Sequence, residues 1–455
     1  MRIVVAGCGK IGEEIVASLV EENHEVIVID TSRDVLDDAE NTYDIVTVQG
    51  NCADIKKLRE ADVENCKFFI AMTGSDEVNM ISSVFVRQMN PKAHIFARLR
   101  SPEYSDESVK LIRSFIDIKF AINPDKLAAE KIFNIVQFPS AFTIETFSRR
   151  YFRLVELKLK ENSALNGIKI ADLKKNSKYS FLICAVQRGD EVYIPSGDFV
   201  LKSGDKIGIA GTQNELVELF RSLKLLQKEI KDVLILGGSR TAYYLAKNLV
   251  KSTRCNVKII EKELDRCMEL SEEIDKIEVI HGDATDRDLL LECGIEDVDA
   301  VINLTGIDEL NILMGFYANS LGVDKVIAKV NHKEFTDIAE KIGLDSLISP
   351  QNLVADVIVS NVRSYAATEE LNIETMRVCM DERIEALEFI PRADFEYFNV
   401  KIRDLRLRKN ILIAGIIRNK TAIVPNGNDS IMPGDNVVII SYAAAQLSNL
   451  SDIFE

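Results

Sequence analysis

Six residues near the start of the chain, Gly7-Cys8-Gly9-Lys10-Ile11-Gly12, fit the pattern G-x-G-x-x-G. They stand between the apolar run Arg2-Ile3-Val4-Val5-Ala6 and a helical pattern over Ile11–Glu22. In that setting Gly7 permits a tight turn, Gly9 lets a diphosphate approach the backbone, and Gly12 lets the helix pack on the strand. The free N–H groups and positive dipole of the helix start then face the anion. Asp30 closes the next apolar run. A carboxylate there accepts from both ribose hydroxyls and repels a 2′-phosphate, which favours NAD or ATP over NADP, a preference that Arg33 weakens slightly.

Ligands of a doubly wound sheet lie beyond the carboxyl ends of its strands. That adds Asn51 and Cys52 after a third strand, Thr73 and Gly74 after a fourth, and Arg98 at the end of a fifth. Asn51 and Thr73 suit adenosine or ribose. Arg98 suits a phosphate or a surface ion pair. Lys10 either lies by the diphosphate or points to solvent.

The layout returns about 230 residues later. Asp232-Val233-Leu234-Ile235-Leu236-Gly237-Gly238-Ser239 repeats the first strand and loop, and Ile259-Ile260-Glu261 repeats Val28-Ile29-Asp30. His281-Gly282-Asp283-Ala284-Thr285-Asp286 repeats Gln49-Gly50-Asn51-Cys52-Ala53-Asp54. Leu304-Thr305-Gly306-Ile307-Asp308-Glu309-Leu310-Asn311 repeats Met72-Thr73-Gly74-Ser75-Asp76-Glu77-Val78-Asn79. Nearly constant spacing at four separate places marks a duplication. The second loop, Gly237-Gly238-Ser239-Arg240-Thr241-Ala242, is altered. A Cβ at Ser239 crowds a diphosphate, although its hydroxyl and Arg240 can bond phosphate. Glu261 keeps the acidic role, Asp283 stands where Asn51 stood, and Lys329 stands where Arg98 stood. This half either binds a nucleotide more weakly or is structural.

The elements that position these residues follow from hydrophobic patterning. Short apolar runs at 2–6, 25–29, 45–49, 68–72 and 94–98 alternate with helical patterns, which predicts a parallel sheet covered on both faces. Each half then ends in a smaller lobe. Arg188-Gly189-Asp190-Glu191 makes a hairpin turn, and Pro195-Ser196-Gly197-Asp198 with Ser203-Gly204-Asp205 returns as Pro425-Asn426-Gly427-Asn428 with Pro433-Gly434-Asp435. The fold class is α/β: two tandem units, each a Rossmann-like doubly wound parallel sheet followed by a small α+β lobe. The expected divisions are 1–139, 140–229, 230–365 and 366–455. Asp125–Val136 and Gln351–Val362 are apolar over too wide an arc for helices lying on one core, and are expected between two lobes or two chains.

The chain has 455 residues and a net charge of −16, which argues against a phosphate-backbone binder as its main role. Its apolar runs are too short to span a membrane. Arg2–Ala6 already reads as a buried strand, so no leader peptide is expected. The eight cysteines show no C-x-x-C spacing and read as reduced, packed thiols, and no metal site is expected. His24, His94, His281 and His332 fall at strand edges or in turns, so none reads as a catalytic acid–base group and catalysis is not expected. There is no Walker A motif. A nicotinamide oxidoreductase is the weaker alternative.

Gly7-Cys8-Gly9-Lys10-Ile11-Gly12, Asp30, Gly50-Asn51-Cys52-Ala53-Asp54 and Met72–Asn79 resemble the N-lobe of the RCK family (regulators of potassium conductance, also called KTN), and the two tails resemble its C-lobe. The resemblance covers essentially the whole chain and departs at Ser239 and Arg240. It implies a cytoplasmic regulatory subunit, peripheral at the inner face of the cell membrane. Its partner would be an integral-membrane potassium transporter or another cation channel. It would bind NAD(H) or, as alternative ligands, ATP and ADP, and would self-associate into a ring, a homotetramer of eight units.

Overall fold

The computed structural model describes residues 1–101, 120–138, 141–147, 151–159, 163–223, 230–252, 255–332 and 335–454, except 337, 340–342, 345, 369–372, 381–382, 443–444, 446 and 448. The expected divisions at 139 and 229 lie outside the described residues.

The first lobe carries β1 (Arg2–Ala6), β2 (Glu25–Asp30), β3 (Val46–Gln49), β4 (Phe68–Ala71), β5 (His94–Arg98) and β6 (Phe120–Ile122). They form one parallel sheet in the order β3-β2-β1-β4-β5-β6. The order reverses between β1 and β4, where a doubly wound sheet leaves its crevice. Ile3, Val4, Val5 and Ala6 are fully buried, as expected of a strand covered on both faces. Gly7 follows at φ +96°, and a Cβ there would lie 2.8 Å from the Thr73 nitrogen. A Cβ at Gly12 would lie 2.0 Å from the Gly7 carbonyl oxygen, so both glycines are required by packing.

The second lobe holds β7 (Ala141–Phe147), β8 (Phe152–Lys158), β9 (Phe181–Arg188), β10 (Glu191–Tyr193) and β11 (Lys206–Gly211) in an antiparallel sheet ordered β10-β9-β11-β8-β7. The hairpin at 188–191 joins β9 to β10 as expected. The third lobe, with β12 (Asp232–Leu236), β13 (Asn256–Glu261), β14 (Ile277–His281), β15 (Ala300–Asn303), β16 (Lys325–Lys329) and β17 (Leu347–Ile348), repeats the parallel order as β14-β13-β12-β15-β16-β17. The fourth holds β18 (Ile373–Cys379), β19 (Ile384–Phe389), β20 (Ile411–Arg418), β21 (Thr421–Ile423) and β22 (Asn436–Tyr442), ordered β18-β19-β22-β20-β21.

Like packs with like. One compact unit contains Met1–Phe133 with Ile230–Val359, and the other contains Asn134–Glu229 with Ser360–Glu455. In the second unit one apolar cluster draws on both small lobes, with Phe152, Leu154 and Cys184 beside Ile384, Ala414 and Ile440. The repeated Gly-Asp tails have a structural use there. Asp205 is buried and takes Nε and Nη2 of Arg188 at 2.8 and 2.7 Å, and Asp435 takes the same atoms of Arg418 at 2.8 Å each. Bidentate guanidinium–carboxylate geometry of this kind ties each hairpin to its sheet.

The helices Pro124–Gln137 and Pro350–Thr368 cover the two wide apolar arcs. Ala128, Ile132 and Val136, and Val354, Ile358 and Val362, are all buried within a single chain. Leu127 and Ile135 on the first helix, and Leu353 and Val357 on the second, stay half-buried, so one chain covers most of each arc. No helix among the described residues is long and apolar enough to cross a membrane.

Candidate functional site

A cleft of about 700 Å³ opens at the carboxyl ends of the first parallel sheet. Gly7, Gly9, Lys10, Ile11, Asp30, Asn51, Cys52, Thr73, Gly74 and Arg98 all line it. Gly9 is the N-cap of the helix Lys10–Glu21 and supplies no side-chain cap, so among the described residues no side chain occupies the free N–H groups of that helix start. Those groups are the donors a phosphate takes. Cys8 contributes backbone only. Its N–H donates to Oδ2 of Asp30 at 2.7 Å, while burial pushes its thiol up to about 11. Asp30 Oδ1 accepts from the Ser32 N–H at 2.9 Å. The carboxylate is thus held in place with lone pairs left for ribose hydroxyls. Asn51 Oδ1 accepts from the Ala53 N–H at 2.9 Å, which leaves its NH₂ as the donor for a ligand.

Asn79, fully buried, explains why Met72–Asn79 recurs. Its Oδ1 accepts from the Thr73 N–H (2.9 Å) and hydroxyl (2.7 Å), and its NH₂ donates to the carbonyls of Thr73 (3.3 Å) and Arg98 (3.0 Å). It clamps the end of β4 to the end of β5. Asn311 makes the same four bonds to Thr305 and Lys329. The Thr73 hydroxyl proton is shared between Asn79 (2.7 Å) and the Ser75 carbonyl (3.2 Å), so toward a ligand that oxygen acts as acceptor.

Arg98 is 8% exposed and donates to the Thr73 carbonyl, while its Nε, like that of Arg100, has no hydrogen-bond partner among the described residues. Burial, reinforced by Arg100, lowers its guanidinium to about 10. A third cation comes from the other half of the chain. Lys329 lines this same cleft, and burial lowers its ammonium despite the fields of Asp125 and Asp308. None of the three is paired with a carboxylate among the described residues, which makes this end of the cleft a basin for an anion.

This placement corrects the sequence-based assignment of Lys329 to the second site. The two parallel sheets meet at the carboxyl ends of their strands. Lys10 reaches His332, Thr241 bonds Asp125 at 2.9 Å, and Asn123 lies 3.4 Å from the Tyr244 hydroxyl. The end of β16 therefore reaches into the opposite cleft. Thr241 is fully buried on Asp125 and does not line a cleft.

The second cleft, about 1000 Å³, is lined by Gly237, Gly238, Ser239, Arg240, Glu261, Asp283, Ala284, Thr305 and Gly306. Glu261 copies Asp30, accepting from the N–H groups of Gly238 (2.5 Å) and Glu263 (2.8 Å). The loop differs. The Ser239 hydroxyl accepts from the Ala242 N–H at 3.4 Å, so it occupies the helix start that a phosphate would use. Asp283 is held at about 2 by the Thr285 N–H and hydroxyl and by Lys262. Arg266 donates to the Gly238 carbonyl at 2.7 Å and pairs with Glu269 at 2.6 Å. Lys262 and Arg266 are both paired with carboxylates, only Arg240 is left to meet an anion among the described residues, and acidic groups predominate, so this cleft suits a phosphate less well than the first. Among the described residues no cluster of three or more His, Cys, Asp or Glu is placed to hold a metal.

Arg100, Asp125 and Asn331 also line the first cleft, and no motif spacing marks them.

Two Rossmann-type sheets joined at their carboxyl ends, with two antiparallel C-lobes in the same chain, define a tandem RCK architecture. The TrkA-N domain matches residues 3–124 and 233–350, and the TrkA-C domain matches 154–224 and 388–453. The chain belongs to the TrkA family. It is 31% identical over 443 residues to the Trk system potassium uptake protein TrkA homolog of Archaeoglobus fulgidus, covering 97% of each chain. It is 27% identical over 460 residues to the Trk system potassium uptake protein TrkA of Haemophilus influenzae, covering 100% of this chain and 99% of that one. In fold it is similar to the GsuK channel bound to NAD, with a TM-score of 0.64 at 18% identity, over 97% of this chain and 77% of that chain.

Proposed function

We propose that the chain is the regulatory subunit of a Trk-type potassium uptake system, acting by binding nucleotide rather than by catalysis. The observation that carries this reading is the first cleft. It combines an uncapped phosphate loop, a ribose-type carboxylate, and three cations without carboxylate partners drawn from both halves of the chain. NAD(H), ATP and ADP all carry the adenosine diphosphate that this set recognises. The diphosphate lies on the Gly7–Gly12 loop, the ribose on Asp30, and the distal phosphate or second nucleotide reaches Arg98, Arg100 and Lys329. A ligand that touches both halves favours one relative position of them, and so shifts the population that the membrane subunit senses. The relatives named for potassium uptake, and the NAD-bound channel of like fold, support the same reading.

The deciding experiment has two parts. Mass spectrometry of protein purified without added ligand identifies the bound nucleotide. Potassium flux into vesicles carrying the membrane subunit, with and without that nucleotide, tests control. Flux indifferent to nucleotide overturns the regulatory reading, and steady turnover of NADH with a hydride acceptor would replace it with an oxidoreductase.

Ring assembly at the inner face of the membrane is part of the proposal. The helices Asp76–Met89 and Asp308–Ser320 expose matching apolar side chains, Ile81 and Val84 on one and Leu313 and Phe316 on the other. Exposed apolar stripes that recur in both halves suit contacts between chains. Leu313→Asp is expected to dissociate the oligomer in light scattering while the protein stays folded. Ile358→Asp, which buries an unpaired charge, is expected to cost about 3–5 kcal/mol of stability instead. An intact oligomer in the Leu313 variant would place the ring contact elsewhere.

A further inference from the structure

Lys10 stands at the start of the phosphate-loop helix, yet its ammonium is engaged across the boundary between the halves: Nζ lies 2.7 Å from Nε2 of His332. The other ring nitrogen, Nδ1, lies 2.7 Å from Oδ2 of Asp308. Asp308 is buried and also accepts from the N–H groups of Asn331 (2.9 Å) and His332 (3.1 Å) and from the Asn331 amide (2.7 Å). Burial pulls its carboxyl up, but the bonds from His332 and Asn331 outweigh that and leave it below the usual carboxylate range. An ionised Asp308 accepts a hydrogen bond from the Nδ1–H of the neutral ring. Nε2 is then a bare lone pair that accepts from Lys10. The first half has Ser101 at the position of His332, so the repeat does not supply a second imidazole of this kind.

We propose that Asp308, His332 and Lys10 form a proton-linked latch on the first nucleotide site, an inference that rests on the nucleotide reading above. Without ligand, the Lys10 ammonium bonds the neutral imidazole. Phosphate on the Gly7–Gly12 loop draws the ammonium away. The ring loses its adjacent cation, keeps Asp308, and takes one proton from solvent at Nε2. Lys10 stays protonated throughout, and the only bond formed is the new N–H of the imidazolium. Among the described residues, the charged groups facing the ring are Lys10 from the helix Lys10–Glu21 and Asp308 from the start of the helix Asp308–Ser320. The Phe335 ring packs edge-on with its centroid 5.8 Å away. Lys329 and Asp125 stand in the same cleft, and Lys329 feels both Asp125 and Asp308. Nucleotide binding and protonation of His332 therefore favour each other, as linkage requires.

The test is calorimetric titration of the full chain in buffers of different ionisation enthalpy. NAD is the cleaner probe because its diphosphate does not titrate near neutrality, and MgATP is run in parallel. Wild type is expected to take up part of a proton per nucleotide at the tighter site. Its dissociation constant should fall about three- to tenfold between about pH 8 and about pH 6. Lys10→Gln and His332→Gln should bind with that uptake and pH dependence lost. Lys10 is exposed, so its variant keeps the fold even if the His332 variant does not. Binding by wild type without proton uptake, or uptake that survives in Lys10→Gln, overturns the latch alone. Failure of wild type to bind either nucleotide sinks the nucleotide reading, and the latch with it.

Discussion

Gly9→Val is expected to remove nucleotide binding from the first cleft while the protein stays folded. Gly9 has φ −70° and ψ −178°, extended backbone open to any residue, and a Cβ built there meets nothing within 4 Å. The substitution therefore strains nothing in the empty fold. Gly7 and Gly12 behave differently, because a side chain at either collides with backbone. The space a valine fills is the approach of a diphosphate to the free N–H groups of the helix start. Loss of those charge-assisted bonds is worth at least about 3 kcal/mol, or about a hundredfold in affinity. Calorimetry reads the affinity and thermal unfolding reads the fold. Unchanged affinity in a folded variant would put the nucleotide elsewhere.

Two classes of nucleotide site are expected per chain, the tighter on Gly7–Gly12 with Asp30 and the weaker on Gly237–Ala242 with Glu261. Asp30→Ala should weaken the tighter class at least about tenfold, since it removes charge-assisted bonds to two ribose hydroxyls at ~1.5–3 kcal/mol each. Glu261→Ala should touch only the weaker class. The Ser239 hydroxyl now caps Ala242 where phosphate would bind, so Ser239→Gly should tighten the weaker class without altering the tighter. Binding isotherms of wild type and the three variants decide the ranking. Loss of the tighter class in Glu261→Ala, with Asp30→Ala unaffected, would reverse it.

Local chemistry was legible from the residues alone. A strand of four buried apolar residues ending in glycine at φ +96°, a helix start, and a carboxylate at the end of the next strand are all set by neighbours in sequence, and each stands where its type requires. The parallel pairing in both large sheets, though not the strand order, followed from alternating strand and helix patterns, because a buried parallel strand needs apolar residues on both faces. The duplication was legible because the same backbone constraints recur at a constant interval.

Tertiary structure decided which half serves which site. Lys329 occupies the position of Arg98 in the repeat, yet it lines the cleft of the other half; Thr241, inside the second loop, turns away onto Asp125. The apolar arcs of Pro124–Gln137 and Pro350–Thr368 admitted a lobe contact or a chain contact, and a single chain buries most of each, leaving Leu127, Ile135, Leu353 and Val357 half-buried. Burial of a side chain depends on how whole sheets pack, and periodicity measures how wide an apolar face is without recording what covers it. The engagement of Lys10 by His332, 322 positions apart in the chain, arises for the same reason: two strand-end surfaces meet across a boundary that neither half encodes by itself.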